Sequence, residues 1–301
     1  MKPAEVLTDL IGNTPLLQLN HINPMIWGKL EYFNPQGSVK DRAAYYMMKN
    51  ALEQGEISKD TVIVESTSGN TGIALAYICT CLGMKLVLTM PESMSDERKK
   101  LLAALGAELV LTPASEGMRG AINKAKRICE DRNGYMVGQF ENPANAQAHR
   151  ETTGPEIVRD MEGNVDIFVA GVGSGGTITG VGEVLREKCP GCKIVAVEPA
   201  ESPVLSGGRP APHKIQGIGA GFIPKLLNRD IIDEVVAVYA KEAFEAVRLL
   251  SHREGVLCGA SSGAALAACM KLAQRPENEG CRIVTIFPDT GERYLSTGLF
   301  E

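Results

Sequence analysis

No stretch of this 301-residue chain is apolar for long enough to cross a bilayer. The longest apolar run, about Ile73 to Leu82, falls well short of the roughly 20 residues that a helical span needs. The opening Met1–Val6 lacks the apolar core of a secretory signal, so a cytoplasmic location is expected. A surplus of positive charge is also missing. Thirty-one Lys and Arg stand against 36 Asp and Glu, and no Lys/Arg stripe breaks that balance, which argues against a nucleic-acid partner. The eight cysteines are too scattered for a disulfide framework and point to thiols in a reducing compartment. One CxxC occurs, Cys189-Pro190-Gly191-Cys192, and no second pair exists to complete a zinc site, so no metal is expected. A helix-to-strand turn that happens to hold two cysteines is the plainer reading of it, with a redox-labile surface pair as the alternative. Low-complexity tracts are absent too.

What is present is alternation. Short β-branched runs such as Thr61–Glu65, Lys85–Met90, Glu108–Leu111, Tyr135–Phe140, Asp166–Ala170, Lys193–Val197 and Arg282–Phe287 alternate with helical patterns. The helices read as Lys40 to Gln54, Gly72–Leu82, Ser95–Leu105, Gly117–Asp131, Thr153–Met161, Thr177–Lys188, Lys241–Arg253 and Ser262–Arg275. Strands apolar on both faces and spaced by helices mean parallel sheets covered by helices. The expected fold class is therefore α/β, with two doubly wound domains around parallel central sheets. The divide is expected near Glu141–Asn145, and the Gly-, Pro- and Ser-rich stretch Glu201–Ala220 reads as a functional loop.

Four places carry chemistry. In Asn34-Pro35-Gln36-Gly37-Ser38-Val39-Lys40-Asp41-Arg42, a turn and the N-cap candidate Ser38 put Lys40 in the first turn of a helix. The positive end of the helix dipole opposes an ammonium there and favours the neutral amine that a Schiff-base lysine requires. A lysine taken alone is ordinarily a solvated surface residue, so the other segments must give Lys40 a purpose. Ser66-Thr67-Ser68-Gly69-Asn70-Thr71-Gly72 follows a strand and opens a helix with more N–H and O–H donors than one cap uses, which suits an anion such as a carboxylate. Gly171-Val172-Gly173-Ser174-Gly175-Gly176-Thr177 lets backbone N–H groups close around a phosphate. Its spacing meets the dinucleotide fingerprint only approximately, with Glu198 available as the acidic residue further on. Cys258-Gly259-Ala260-Ser261-Ser262-Gly263 opens another helix, and a plain serine cap accounts for it equally well. One phosphate, an aldehyde for Lys40 and a ring are what these pieces ask for together, and pyridoxal phosphate supplies all three.

On Asn34–Arg42, Thr67–Gly72, Gly173–Thr177, Gln216–Pro224 and Gly291–Thr297, the chain resembles the cysteine synthases, or O-acetylserine sulfhydrylases, of the PLP fold type II (tryptophan synthase β-like) class. The resemblance covers nearly the whole chain. It implies that Lys40 holds the cofactor as an aldimine and later removes the substrate α-proton, and that Asn70 bonds the ring 3′-oxygen. It also implies that Gly173, Ser174, Gly175, Gly176 and Thr177 cradle the phosphate and that Ser261 faces the pyridine nitrogen. Thr67, Ser68, Gly69, Thr71 and Gln139 would grip the substrate carboxylate, with Gly219 and Ala220 beside the substrate. The implied reaction is replacement of acetate in O-acetyl-L-serine by sulfide, through an aminoacrylate, to give L-cysteine. Implied too are a mobile smaller domain at 36–141 with the carboxylate loop, a larger one at 1–35 and 142–301 with the phosphate site, a homodimer, and acceptance of the C-terminal tail of serine acetyltransferase. His21, His149, His213 and His252 have no catalytic role in this reading, and His149 is expected to pack or hinge. Lys188-Cys189-Pro190-Gly191-Cys192 looks more like cystathionine β-synthases, which leaves open a related enzyme acting on cysteine or serine that releases sulfide or makes lanthionine or cystathionine. The small residues at Ala220 and Gly221 favour sulfide as nucleophile.

Overall fold

The computed structural model describes residues 3–301. In chain order its strands and α-helices are β1 (Leu16–Gln18), β2 (Ile26–Leu30), α1 (Lys40–Glu53), β3 (Ile63–Ser66), α2 (Asn70–Leu82), β4 (Leu86–Pro91), α3 (Asp96–Ala104), β5 (Glu108–Thr112), α4 (Gly117–Asp131), β6 (Tyr135–Met136), α5 (Ala144–Ala148), α6 (Gly154–Asp160), β7 (Ile167–Gly171), α7 (Gly176–Lys188), β8 (Lys193–Pro199), β9 (Glu234–Val238), α8 (Ala240–Glu254), α9 (Ala260–Ala273) and β10 (Ile283–Phe287). The chain forms two units. One takes residues up to Ile11 and Lys40–Asn145; the other takes Gly12–Val39 and Ala146–Glu301. The sequence grouped the first eleven residues with the larger domain. Of these, the described residues 3–11 cluster with the smaller unit, where Ile11 packs against its core.

The smaller unit is built on a four-stranded, wholly parallel sheet in the order β5-β4-β3-β6. Its central strands β3 and β4 are buried along their whole length, as the continuous apolar runs dictate. Helix α2 is buried on all sides at its N-terminal half and joins Ile63, Leu86 and Leu88 in one core with the Ala43–Met48 face of α1. Because β4 and β5 lie on one side of β3 and β6 on the other, the strand order reverses between β3 and β6. Loops leaving the carboxyl ends of strands at such a reversal diverge and form a crevice. Strand β6 is shorter than the Tyr135–Phe140 run suggests: Gly138 takes a φ of +68° and turns the chain away after Met136.

In the larger unit the order is β1-β2-β10-β7-β8-β9, parallel except for β1. Here the reversal lies between β7 and β10. The edge strand β9 was not foreseen, since an acidic Glu234 and alternating exposure disguise it. The CxxC forms the turn from α7 to β8; both sulfurs are buried, and burial pushes the Cys192 thiol up to about 12, so a surface redox pair does not exist.

Helices α8 and α9 meet at glycine. A methyl on Gly263 would stand 2.0 Å from the Ala243 carbonyl oxygen, so α9 sits against α8 only because position 263 has no side chain. Beneath β2, the fully buried Lys29 ammonium donates to the Thr14 carbonyl at 2.7 Å and pairs with Glu156 at 3.0 Å and Asp160 at 3.1 Å. A buried cation shared by two carboxylates cannot be removed from one side alone. Lys29→Met is expected to lower unfolding stability by about 3–5 kcal/mol, read as a shift in urea midpoint at unchanged slope.

Candidate active site

The smaller unit places one group of the expected residues at the β3/β6 reversal. Strand β3 ends at Ser66, three residues turn, and α2 starts at Asn70 with Gly69 as its cap residue. Gly69 offers no side chain to cap the first turn of α2. Thr67 Oγ1 accepts the Gly69 N–H at 3.2 Å, which shapes the turn and leaves the Thr67 hydroxyl proton for another acceptor. Gln139 lies in the loop after β6, and Thr71 Oγ1 donates to its Oε1 at 2.6 Å. That bond uses the Gln139 amide oxygen and leaves its NH2 as the donor end. Two hydroxyls counted from the sequence as free donors are therefore engaged: Thr71 on Gln139, and Ser68 on the Met94 sulfur at 2.9 Å. Arg98 of α3 also donates to the Ser68 carbonyl at 3.2 Å. Met94 and Arg98 carried no motif that would single them out in sequence.

Lys40 is the first residue of α1, as its position after Gly37 and Ser38 suggests. The segment leading to it is held in the larger unit. Gly37 has a φ of +68°, its carbonyl accepts the Thr290 N–H at 3.1 Å, Val39 N–H donates to Pro288 at 2.8 Å, and Ser38 bridges Asp289. Arg293 donates to the Gln36 carbonyl. These contacts fix the backbone up to Val39, the residue before Lys40.

The larger unit places the second group at the β7/β10 reversal. After β7, Val172, Gly173 and Ser174 lead to Gly175, which has a φ of +87° and caps α7. A methyl on Gly173 would lie 2.4 Å from the Gly217 carbonyl, and one on Gly175 would lie 3.0 Å from Leu227 Cβ. The Gly217–Gly219 segment thus runs directly against this loop, and the Gly219 N–H donates to the Val172 carbonyl at 2.9 Å. Ser261, the second residue of α9, is buried, and a Cβ on Gly217 would come 3.4 Å from its hydroxyl. Gly173, Gly217 and Ser261 are therefore successive neighbours. The donors at the start of α7 are neutral N–H and O–H groups in a glycine-walled hollow, a set that fits a phosphate bound at a helix N-terminus. Ser261 presents a hydroxyl at the start of α9, where the Asp289 carboxylate also lies against the cap residue Gly259. Gly219 and Ala220 follow on the loop; Gly217, Gly219 and Gly221 all have positive φ.

Two residues were given lesser parts by the sequence. His149 lies in a single π-helical turn, His149–Thr153, and its buried ring bonds Thr153 at 2.9 Å and Thr177 at 3.2 Å. It thus touches a residue of the phosphate loop, which a period-3.6 reading of the helix could not reveal. Glu198, the acidic residue that kept a dinucleotide in play, spends its carboxylate on the Leu205 and Ser206 N–H groups at 2.7 and 3.1 Å, so no ribose partner is left there.

The fold and these loops define a class of α/β protein whose donor-rich helix starts, at the carboxyl ends of parallel strands, suit bound anions. Residues 7–289 match the family model described as pyridoxal-phosphate dependent enzyme. A cysteine synthase from Staphylococcus aureus is 51% identical over 305 residues, covering 100% of this chain and 98% of its own. Among solved structures, cysteine synthase from Entamoeba histolytica superposes with a TM-score of 0.96 at 44% identity, over 99% of this chain and 91% of that one. A hydrogen sulfide-producing enzyme from Fusobacterium nucleatum superposes at 0.92 with 43% identity, over 97% and 100%. The chain belongs to the family of pyridoxal-phosphate dependent enzymes, and its cofactor is pyridoxal 5′-phosphate.

The backbone contact at Gly173 has a direct consequence. Gly173→Ala forces the loop off the Gly217 carbonyl, and we expect it to lower cofactor retention by about tenfold or more, measured by visible absorbance after dialysis.

Proposed function

We propose that this chain is a cysteine synthase, replacing acetate in O-acetyl-L-serine with sulfide to form L-cysteine. The observation that carries it lies within the smaller unit: Lys40 opens α1, and Thr71 and Gln139 form a hydroxyl-and-amide pair at the start of α2 that suits an amino-acid carboxylate. The full-length likeness to cysteine synthases from Staphylococcus aureus and Entamoeba histolytica supports it.

In this proposal Gly173, Ser174, Gly175, Gly176 and Thr177 hold the cofactor phosphate, Asn70 holds the ring oxygen, and Ser261 faces the ring nitrogen. When bound, the cofactor supplies an electron-accepting ring that makes the α-proton of an attached amino acid removable. A serine hydroxyl at a helix N-terminus does not favour a positive ring as a carboxylate would, which suits loss of a good β leaving group over transamination. Lys40 would anchor the cofactor, and its Nζ, when free of that bond, would take the substrate α-proton. Thr67, Ser68, Gly69, Thr71 and Gln139 orient the substrate by its carboxylate. Gly219 and Ala220 bring no bulk or charge to the β-carbon and so admit a small nucleophile. A homodimer and a cytoplasmic location belong to the same proposal, as does acceptance of a serine acetyltransferase tail.

A second reading, release of sulfide from cysteine, rests on the likeness to the Fusobacterium nucleatum enzyme. Steady-state rates with O-acetylserine plus sulfide, set against cysteine alone, separate the two. We expect the former to dominate kcat/KM; dominant turnover of cysteine alone would overturn the assignment.

A further inference from the structure

Glu65 is the last but one residue of β3, buried to all but 6% of its surface, and it plays no part in the chemistry above. Its carboxylate joins two loops. Oε1 accepts the Ser66 N–H at 2.9 Å, where the Thr67–Thr71 turn begins, and Oε2 accepts the Gly138 N–H at 2.9 Å, one residue before Gln139. The Thr71–Gln139 bond closes the circuit on the other side. Among the described residues the hydrogen-bond partners of Glu65 are backbone N–H groups, with no Lys or Arg against it. Burial pushes its carboxyl above the ordinary range, while the Ser66, Gly138 and Gln139 backbone draws it back down.

We propose that Glu65 is a positioning residue: by tying the Gly138 loop to the start of the Thr67–Thr71 turn, it sets where the Gln139 amide points and so the affinity for the substrate carboxylate. This rests on the assignment of that crevice to the carboxylate. An ionised carboxylate is needed because it only accepts. A glutamine at 65 keeps the size but turns an NH2 donor toward one of two N–H groups, so one loop must let go. The strand itself does not need a charge at its end; a buried acid without a cation is tolerated only where donors converge on it. Gly138 supports this geometry from the other side, since its φ of +68° directs its N–H at Glu65.

The test is equilibrium titration of the visible absorbance of the holoenzyme with L-methionine, an amino acid with a carboxylate and no β leaving group. Glu65→Gln is expected to weaken binding by about 10- to 100-fold, the loss of a hydrogen bond to a charged group. The loss should fall on KM for O-acetylserine more than on kcat. Gln139→Ala is expected to weaken binding similarly, and adding Glu65→Gln to it should cost little more, because Glu65 acts through Gln139. If Gln139→Ala leaves methionine binding intact, the carboxylate assignment falls, and this proposal with it. If Gln139→Ala weakens binding while Glu65→Gln does not, or if the two effects add fully, the positioning role alone is overturned. Should Glu65→Gln fail to fold, Gly138→Ala places a methyl in open space yet opposes the positive φ, and it is expected to weaken methionine binding in the same sense. Unchanged binding in Gly138→Ala would also overturn the role.

Discussion

Everything in this molecule depends on what happens where a parallel strand ends and a helix begins. The first N–H groups of a helix have no partner within it, and a buried set of them demands an acceptor. Here two such starts, α2 and α7, stand at the reversals of their sheets, where neighbouring loops part. Neither helix supplies a side-chain cap of its own: Gly69 and Gly175 occupy those positions. Helix α3 is different, since Ser95 caps it by accepting the Arg98 N–H. A start left without a side-chain cap suits a bound anion, which is the use proposed for both.

Glycine makes this arrangement possible by removing what would otherwise fill it. At Gly173 the loop after β7 rests on the Gly217 backbone, and at Gly263 helix α9, which carries Ser261, rests on α8. Rigidity is purchased by close packing, and close packing tolerates no added methyl. The approach to Lys40 follows the same logic with backbone bonds to Pro288 and Thr290 in place of glycine contacts.

Much of this was legible in the sequence, because the relevant signals are local. The alternation of apolar runs with helical patterns announces parallel sheets, and glycines clustered between a strand and a helix announce anion loops. The position of Lys40 at the start of α1 follows from turn and cap residues alone, whereas α2 starts at Asn70, two residues before the Gly72 that the sequence pattern suggests. Other features could not be read because they are defined by partners far away in the chain. Glu65 looks like the polar end of a strand until Gly138, 73 residues on, is found on its carboxylate. Lys29 looks like an ordinary charged strand residue until Glu156 and Asp160 surround it. Likewise β9 carries too little apolar character to declare itself, and the π-helical turn at His149 has no sequence period of its own.

The central claim is that Lys40 carries the cofactor. Borohydride reduction of the holoenzyme, proteolysis and peptide mass measurement test it most directly. The account predicts that the phosphopyridoxyl group is found on the peptide containing Lys40; its recovery on any other lysine, with Lys40 unmodified, would contradict the account.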